Sequence, residues 1–174
     1  MFSASVEVVL TIAYREAVSR RHVYLTVEHV LYALAHDVDG ERILGACGAD
    51  LGRLRRELDS YLDNAVEQFK RGQEREPEQT AALRRTLQTA VLHVQSAQRE
   101  EVRAGDIYAA ILQQPKTHAA QLLTEQGITR LDILEFISHG VTKHPPQGLG
   151  ETPFRGGHGA AEGAGDEGSG ASRD

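Results

Sequence analysis

An internal repeat constrains this chain more than any other feature of its sequence. Residues 22–37 read HVYLTVEHVLYALAHD, residues 99–114 read REEVRAGDIYAAILQQ, and the two align at an offset of 77 positions. At this offset several apolar residues of the two segments face each other: Val30 and Ile107, Ala33 and Ala110, Leu34 and Ile111. The same offset pairs Leu10 with Leu87 and Ala13 with Ala90. We therefore expect one structural unit to occur twice.

Helical periodicity dominates the first copy of the unit. An apolar stripe from Val6 to Ala17 predicts a helix over residues 3–20. Thr26 is a predicted N-cap for a second helix. A short helix over residues 41–48 should end at Gly48, and Asp50 should cap the fourth helix.

The second copy predicts the same order of four helices. An apolar stripe beginning at Leu83 predicts a long helix that ends near Gln98, followed by a short helix that stops at Pro115. A third helix should end at Gly127. Thr129 and Asp132 have the spacing of a capping box for the fourth.

These patterns predict an all-α domain, a tandem pseudo-two-fold repeat of two four-helix units. No stretch alternates convincingly, so a fold containing strands is disfavoured. The domain should cover residues 1–143, with halves 1–66 and 80–143 joined by a polar linker at 67–79. Residues 144–174 are rich in glycine and predict a flexible linker or tail.

The composition favours a soluble cytoplasmic protein that binds neither nucleic acid nor membranes. The net charge is -6, which is unfavourable for nucleic acid as the main partner. A single cysteine excludes an internal disulfide framework and suits a reducing compartment. The N-terminus does not have the pattern of a signal peptide, and there is no apolar run of membrane-spanning length.

No catalytic pattern emerges from the motifs. The sequence contains no GxxxxGK[ST], GxSxG or HExxH, so neither an enzyme nor a cofactor is predicted. Cys47 ends a helix on its packed side and is interpreted as a structural thiol. His22, His29 and His36 are seven residues apart, too far along one helix for two ligands of one metal. No metal site is predicted, although adventitious zinc at His22 stays open.

Three segments resemble the N-terminal (Clp repeat) domain of the ClpA-type AAA+ unfoldases, which feed the ClpP peptidase. They are TVEHVLYALA at 26–35, VLHVQSAQREEV at 91–102 and TRLDILEFISHG at 129–140. The resemblance covers residues 1–143 and implies the same double four-helix repeat. It also implies a non-catalytic domain that docks a ClpS-type adaptor carrying proteins with destabilising N-terminal residues, and that receives some substrates directly. ATP hydrolysis and hexamer formation would belong to other parts of such a protein, so a monomer is expected here.

The resemblance also indicates which residues bind the adaptor. They lie at the starts of the second and fifth helices: His22, Val23, Glu28, Thr80 and Arg85. Glu28 is expected to be an exposed carboxylate that pairs with a lysine of the partner, so that Glu28→Lys would weaken binding with little effect on stability. Two alternatives stay open, namely that Glu28 only stabilises its own helix through the dipole and that Thr80 is only an N-cap. Val23 departs from the acidic residue expected at that position.

The two copies differ at the position of Glu28. ClpC-type relatives keep a glutamate in both copies and use them to read phosphorylated arginine. Here Gly105 is opposite Glu28, and Asp106 points about 100° around the helix. Recognition of phosphoarginine at the second position is therefore disfavoured. A free-standing protein that competes with the full-length unfoldase for adaptors or substrates is the alternative function.

Overall fold

Eight helices and one pair of very short strands make up the computed structural model, which describes residues 1–143. The all-α class is confirmed. The helices are α1 (Ala4–Ser19), α2 (Val27–Ala35), α3 (Val38–Ala46), α4 (Leu51–Asn64), α5 (Ala81–Ser96), α6 (Ala104–Ile111), α7 (His118–Glu125) and α8 (Arg130–His139). The strands are β1 (Tyr24–Leu25) and β2 (Glu78–Gln79). The tail predicted at 144–174 lies outside the described residues.

Side-chain caps determine where most of the helices begin. In seven of them the N-cap side chain accepts a backbone N–H of the first turn; these caps are Ser3, Thr26, Asp37, Asp50, Thr80, Thr117 and Thr129. The predicted caps at Thr26, Asp50 and Thr129 are confirmed. Helix α3 begins at Val38, earlier than predicted, because the Asp37 carboxylate caps it. Gly48 and Gly127 end their helices with φ of 88° and 78°, as predicted.

The repeat extends to details of the backbone. Arg21 and Gln98 are 77 positions apart, and each has a positive φ, 59° and 57°. Leu25 pairs with Gln79 in a parallel bridge, and the bridge between Phe2 and Val102 repeats this pairing with the halves exchanged. The two units are therefore related by an approximate two-fold exchange.

The predicted linker is tied to the turn between α1 and α2. The N–H of Val23 donates to the carbonyl of Glu67 at 2.8 Å, and the N–H of Glu78 returns a bond to the carbonyl of Val23 at 2.9 Å. The bond from Thr80 N to the Leu25 carbonyl, 3.1 Å, completes the pairing of β1 with β2. These strands depart from the strand-free expectation, because two residues are too few to show an alternating pattern.

Helices α2 and α6 lie at the centre of the domain. Every residue of α6 is buried, and every residue of α2 except Tyr32 is buried. Helices α1 and α4 pack on α2, while α5 and α8 pack on α6. Across the halves, α2 contacts α7 and α6 contacts α3. Among residues 1–143, none of the helices has the length and apolar character to cross a membrane.

Two glycines of α3 offer a matched test of this packing. A Cβ on Gly40 would clash with the carbonyl oxygen of Leu34, whereas a Cβ on Gly45 would meet no atom within 4 Å. We expect Gly40→Ala to lower the free energy of unfolding by about 2 kcal/mol or more. Gly45→Ala should raise it by about 0.5–1 kcal/mol, because alanine is the better helix former. Urea unfolding measures both, and equal effects would contradict the packing.

Candidate docking surface

Glu28 is buried, so its prediction as an exposed carboxylate is wrong. The residue is 5% exposed, and its Oε2 accepts a 2.8 Å hydrogen bond from the backbone N–H of Ala119. Ala119 lies in the first turn of α7, where backbone N–H groups have no partner within the helix. The carboxylate thus caps a helix of the other half, where the positive end of the helix dipole also stabilises it. Glu28 links the two repeats.

An aromatic pair lies close to this link. The Tyr61 ring stacks on the His118 ring with centroids 4.2 Å apart and planes 11° from parallel. Burial, and secondly the charge of Glu28, raise the pKa of the Tyr61 hydroxyl. A partner's lysine would have to displace α7 to reach the Glu28 carboxylate.

His22 is also buried, 1% exposed, and contacts His29 rather than solvent. Its Nδ1 lies 2.8 Å from Nε2 of His29, and the backbone N–H of Thr26 donates to Nδ1 of His29 at 3.0 Å. Nδ1 of His29 is therefore an acceptor, which places the His29 proton on Nε2, where it donates to His22. The turn between α1 and α2 brings the two rings together, a contact that counting along one helix misses.

Both histidines are held neutral. Burial lowers the pKa of His29 to about 3, helped by His22 and Arg20. Burial also lowers the pKa of His22, and Arg20 contributes to this. Within residues 1–143, no group of three or more His, Cys, Asp or Glu side chains could hold a metal ion. The Cys47 thiol is buried, with a pKa raised to about 11, which agrees with its interpretation as a structural thiol.

The other three predicted residues lie at or near the surface. Pairing of β1 with β2 brings Val23 and Thr80 into the same region, both partly buried. The Thr80 hydroxyl caps α5 by accepting from Leu83 N at 3.1 Å. Arg85 is exposed and faces the loop after α6, where its Nε lies 3.4 Å from the side-chain oxygen of Gln114. The starts of α2 and α5 therefore adjoin, as the resemblance implied, but without Glu28 and His22 on the outside.

An apolar groove between α1 and α5 was not predicted. It consists of two adjoining cavities of about 530 and 280 Å³, which share Gln79 and Leu87. The side chains that line this α1–α5 groove are mainly apolar: Phe2, Leu10, Tyr14, Leu83, Leu87, Val91 and Leu92. Leu87 and Val91 lie half-buried along the groove and pack against the core with their inner sides. Leu92 is 62% exposed beside them.

The family of the chain follows from comparison with known proteins. The family described as the Clp repeat (R) N-terminal domain matches residues 1–126. The chain belongs to this family. A ClpA homolog protein of Fuscovulum blasticum is 38% identical over 150 residues, which are 84% of this chain and 19% of that protein. The chain thus spans about a fifth of the length of that relative.

Solved structures show the same fold. The N-domain of ClpV from Vibrio cholerae superposes with a TM-score of 0.64 at 23% identity, covering 79% of this chain and 82% of that one. The Hsp104 N-terminal domain from Candida albicans superposes with a TM-score of 0.68 at 14% identity, covering 83% of this chain and 97% of that one. A ClpV N-domain in complex with a VipB peptide superposes with a TM-score of 0.64 at 22% identity, covering 79% of this chain and 85% of that one.

Substitution of Glu28 should therefore affect stability, contrary to the sequence-based expectation. Glu28→Lys places a cation in a buried site against the N-terminus of α7, and we expect a loss of about 3 kcal/mol in the free energy of unfolding. Glu28→Gln keeps an acceptor and should lose about 1 kcal/mol. The control Glu135→Lys makes the same change at an exposed position of α8 and should have little effect. A Glu28→Lys variant as stable as this control would contradict the link between the repeats.

The free energy of unfolding should fall as the pH drops below about 6.5, because the two histidines then take up protons in the unfolded chain before they do so in the folded one. Because the folded pKa values lie below the usual 6.5, the unfolded chain binds more protons, and the stabilisation present above about pH 6.5 is lost toward about pH 3. We expect the free energy of unfolding to decline between about pH 7 and about pH 5, where ordinary carboxylates stay ionised. His139→Gln, at an exposed position of α8, should leave this slope unchanged. A flat profile in the wild type would contradict a neutral buried pair.

Proposed function

We propose that this chain is the docking domain of a ClpA-type unfoldase, which binds a ClpS-type adaptor and degron-bearing or unfolded substrates. The docking face comprises the α1–α5 groove and the adjoining starts of α2 and α5. Unfolding, ATP hydrolysis and delivery to ClpP belong to other parts of such a protein. The domain itself is non-catalytic and works in the cytoplasm, where the single buried thiol Cys47 stays reduced.

The α1–α5 groove is the observation that carries this proposal. An exposed apolar groove rimmed by polar side chains costs free energy in water and is typical of a surface that binds a peptide or partner protein. Leu87, Val91 and Leu92 provide an apolar strip along α5, and Arg84 and Gln88 lie at its edge. Such a strip matches apolar side chains spaced along a partner segment.

The comparisons support a docking role. The ClpV N-domain, which shares the fold, has been solved with a VipB peptide, and the ClpA homolog is the sequence relative. Both are consistent with a domain whose work is to hold a segment of another protein. No observation among residues 1–143 favours the free-standing competitor over this function.

The predicted adaptor residues divide into two roles. Val23, Thr80 and Arg85 are available to contact the adaptor, and Arg85 supplies the charge among them. His22 and Glu28 are buried and have structural roles. His22 fixes the turn before α2 through its contact with His29, and Glu28 fixes the contact of α2 with α7. Because the Glu28 carboxylate is buried, the charged contact with the adaptor comes from Arg85, which should make adaptor binding sensitive to salt.

Calorimetric titration with the cognate ClpS-type adaptor tests the proposal. We expect one-to-one binding by the wild type and at least about tenfold weaker binding by Leu92→Asp and Arg85→Glu. Leu131 of α8 is also 62% exposed but lies away from the groove, so Leu131→Asp is the matched control and should bind normally. Arg56→Glu, at an exposed position of α4, is the control for the charge reversal at Arg85 and should also bind normally.

Two outcomes would contradict the docking face. One is an absence of adaptor binding by the folded wild type. The other is equal affinity in Leu92→Asp, Arg85→Glu and their controls. Circular dichroism melts of each variant separate loss of binding from loss of the fold.

A further inference from the structure

The second half contains a cavity at the position that corresponds to the Glu28 link. Glu28 is the second residue of α2, and its carboxylate meets Ala119, the second residue of α7. Counted from the helix starts, the corresponding positions of the exchanged halves are Gly105, the second residue of α6, and Asp39, the second residue of α3. Glycine has no carboxylate to span this gap. Both Gly105 and Asp39 line a cavity of about 850 Å³ bounded by α3, α6, α8 and the end of α5.

The gap is built into the packing of α8. A Cβ on Gly105 would lie 2.6 Å from Cγ2 of Ile137, so the Ile137 side chain of α8 would have to move to admit a side chain at position 105. The backbone N–H of Asp39, equivalent to the N–H that Glu28 caps, makes no hydrogen bond within residues 1–143. In the first half Glu28 places a carboxylate on the start of α7, whereas its counterpart Gly105 places none on the start of α3.

Arginines surround the cavity although the protein as a whole is acidic. Arg99 is held by the buried Asp106, with N···O distances of 2.5 and 3.2 Å to its two oxygens, so this acidic group is already neutralised. Arg42 has only a 3.4 Å exposed contact with Asp39, a kind of pair worth little. Arg103 is exposed, and its guanidinium donates no hydrogen bond among the described residues. Arg103 is therefore the one lining guanidinium without a described partner, and Arg42 is held only weakly by Asp39, which itself lines the cavity.

Most of the remaining lining is apolar, apart from Asp39, His93, Asp106 and Ser138. Ile43, Leu134, Phe136 and Ile137 line the cavity beneath the arginines, and the Arg42 guanidinium lies 5.5 Å from the centre of the Phe136 ring. A ligand that fits must therefore combine a negative charge with an apolar neighbour. Free inorganic anions supply only the first of these properties.

We propose that this cavity binds an acidic peptide segment of a partner protein. A Glu or Asp side chain of the segment pairs with Arg103 and Arg42 near the start of α3, the place that the Glu28 carboxylate occupies in the first half. A large apolar side chain beside it packs on Phe136 and Ile137. This site is separate from the α1–α5 groove and does not depend on the function proposed for it.

Fluorescence anisotropy on the full 174-residue chain tests the cavity. The probe is a fluorescein-labelled peptide with the sequence Gly-Ala-Leu-Glu-Phe-Ala-Gly, with the Glu replaced by Gln or Lys in two comparison peptides. We expect saturable binding of the Glu peptide, at least about fivefold weaker binding of the Gln peptide and none of the Lys peptide. Raising the salt from about 0.05 to about 0.5 M should weaken the Glu peptide most.

Charge reversal locates the binding. Arg103→Glu should weaken the Glu peptide at least about tenfold, whereas Arg103→Lys should retain part of the affinity and Arg56→Glu all of it. Leu92→Asp alters the α1–α5 groove and should leave the Glu peptide unaffected, which separates the two sites.

Three results would overturn the proposal. The first is no saturable binding of the Glu peptide up to about 1 mM. The second is equal affinity for the Glu and Gln peptides. The third is that Leu92→Asp abolishes binding of the Glu peptide while Arg103→Glu leaves it unchanged. Because Arg103 is exposed and forms no described side-chain hydrogen bond, its variants should melt at the temperature of the wild type.

Discussion

Burial of two short helices at the centre is the constraint on which the rest of the domain depends. Helices α2 and α6 are surrounded on nearly all sides, so the polar groups at their starts need partners inside the protein. In α2 the Thr26–His29 capping box and the bond from Ala119 N to Glu28 satisfy this need. In α6 Asp106 does so, by accepting from Arg99 and from the backbone N–H of Arg103.

The two halves keep the same backbone and differ in chemistry. Positive φ at Arg21 and Gln98, and the exchanged parallel bridges, show how closely the second unit follows the first. At the link between halves the sequences diverge, since Glu28 spans the gap on one side while Gly105 leaves a cavity on the other. A repeat of this kind permits one copy to stabilise the fold and the other to offer space for a ligand.

Local patterns predicted the helices well and the site poorly. Caps such as Thr26 and Asp50 act within one turn of the chain, so their residue types were enough to place them. The burial of Glu28 depends on α7, 91 residues away, and no local pattern carries that contact. The contact of His22 with His29 depends on the turn at Arg21. The groove depends on the gap between α1 and α5, which the apolar stripe that includes Leu87 does not reveal.

Nuclear magnetic resonance mapping of the adaptor complex would locate the docking face residue by residue. We propose that docking uses the α1–α5 groove with the starts of α2 and α5, while Glu28 holds the halves together from inside. On addition of unlabelled ClpS-type adaptor to the ¹⁵N-labelled domain, we expect the amide signals of Val23, Thr80, Arg85, Leu87 and Leu92 to shift. The amide signals of α8 should not shift. Shifts confined to α8 and α3, with the groove unaffected, would contradict it.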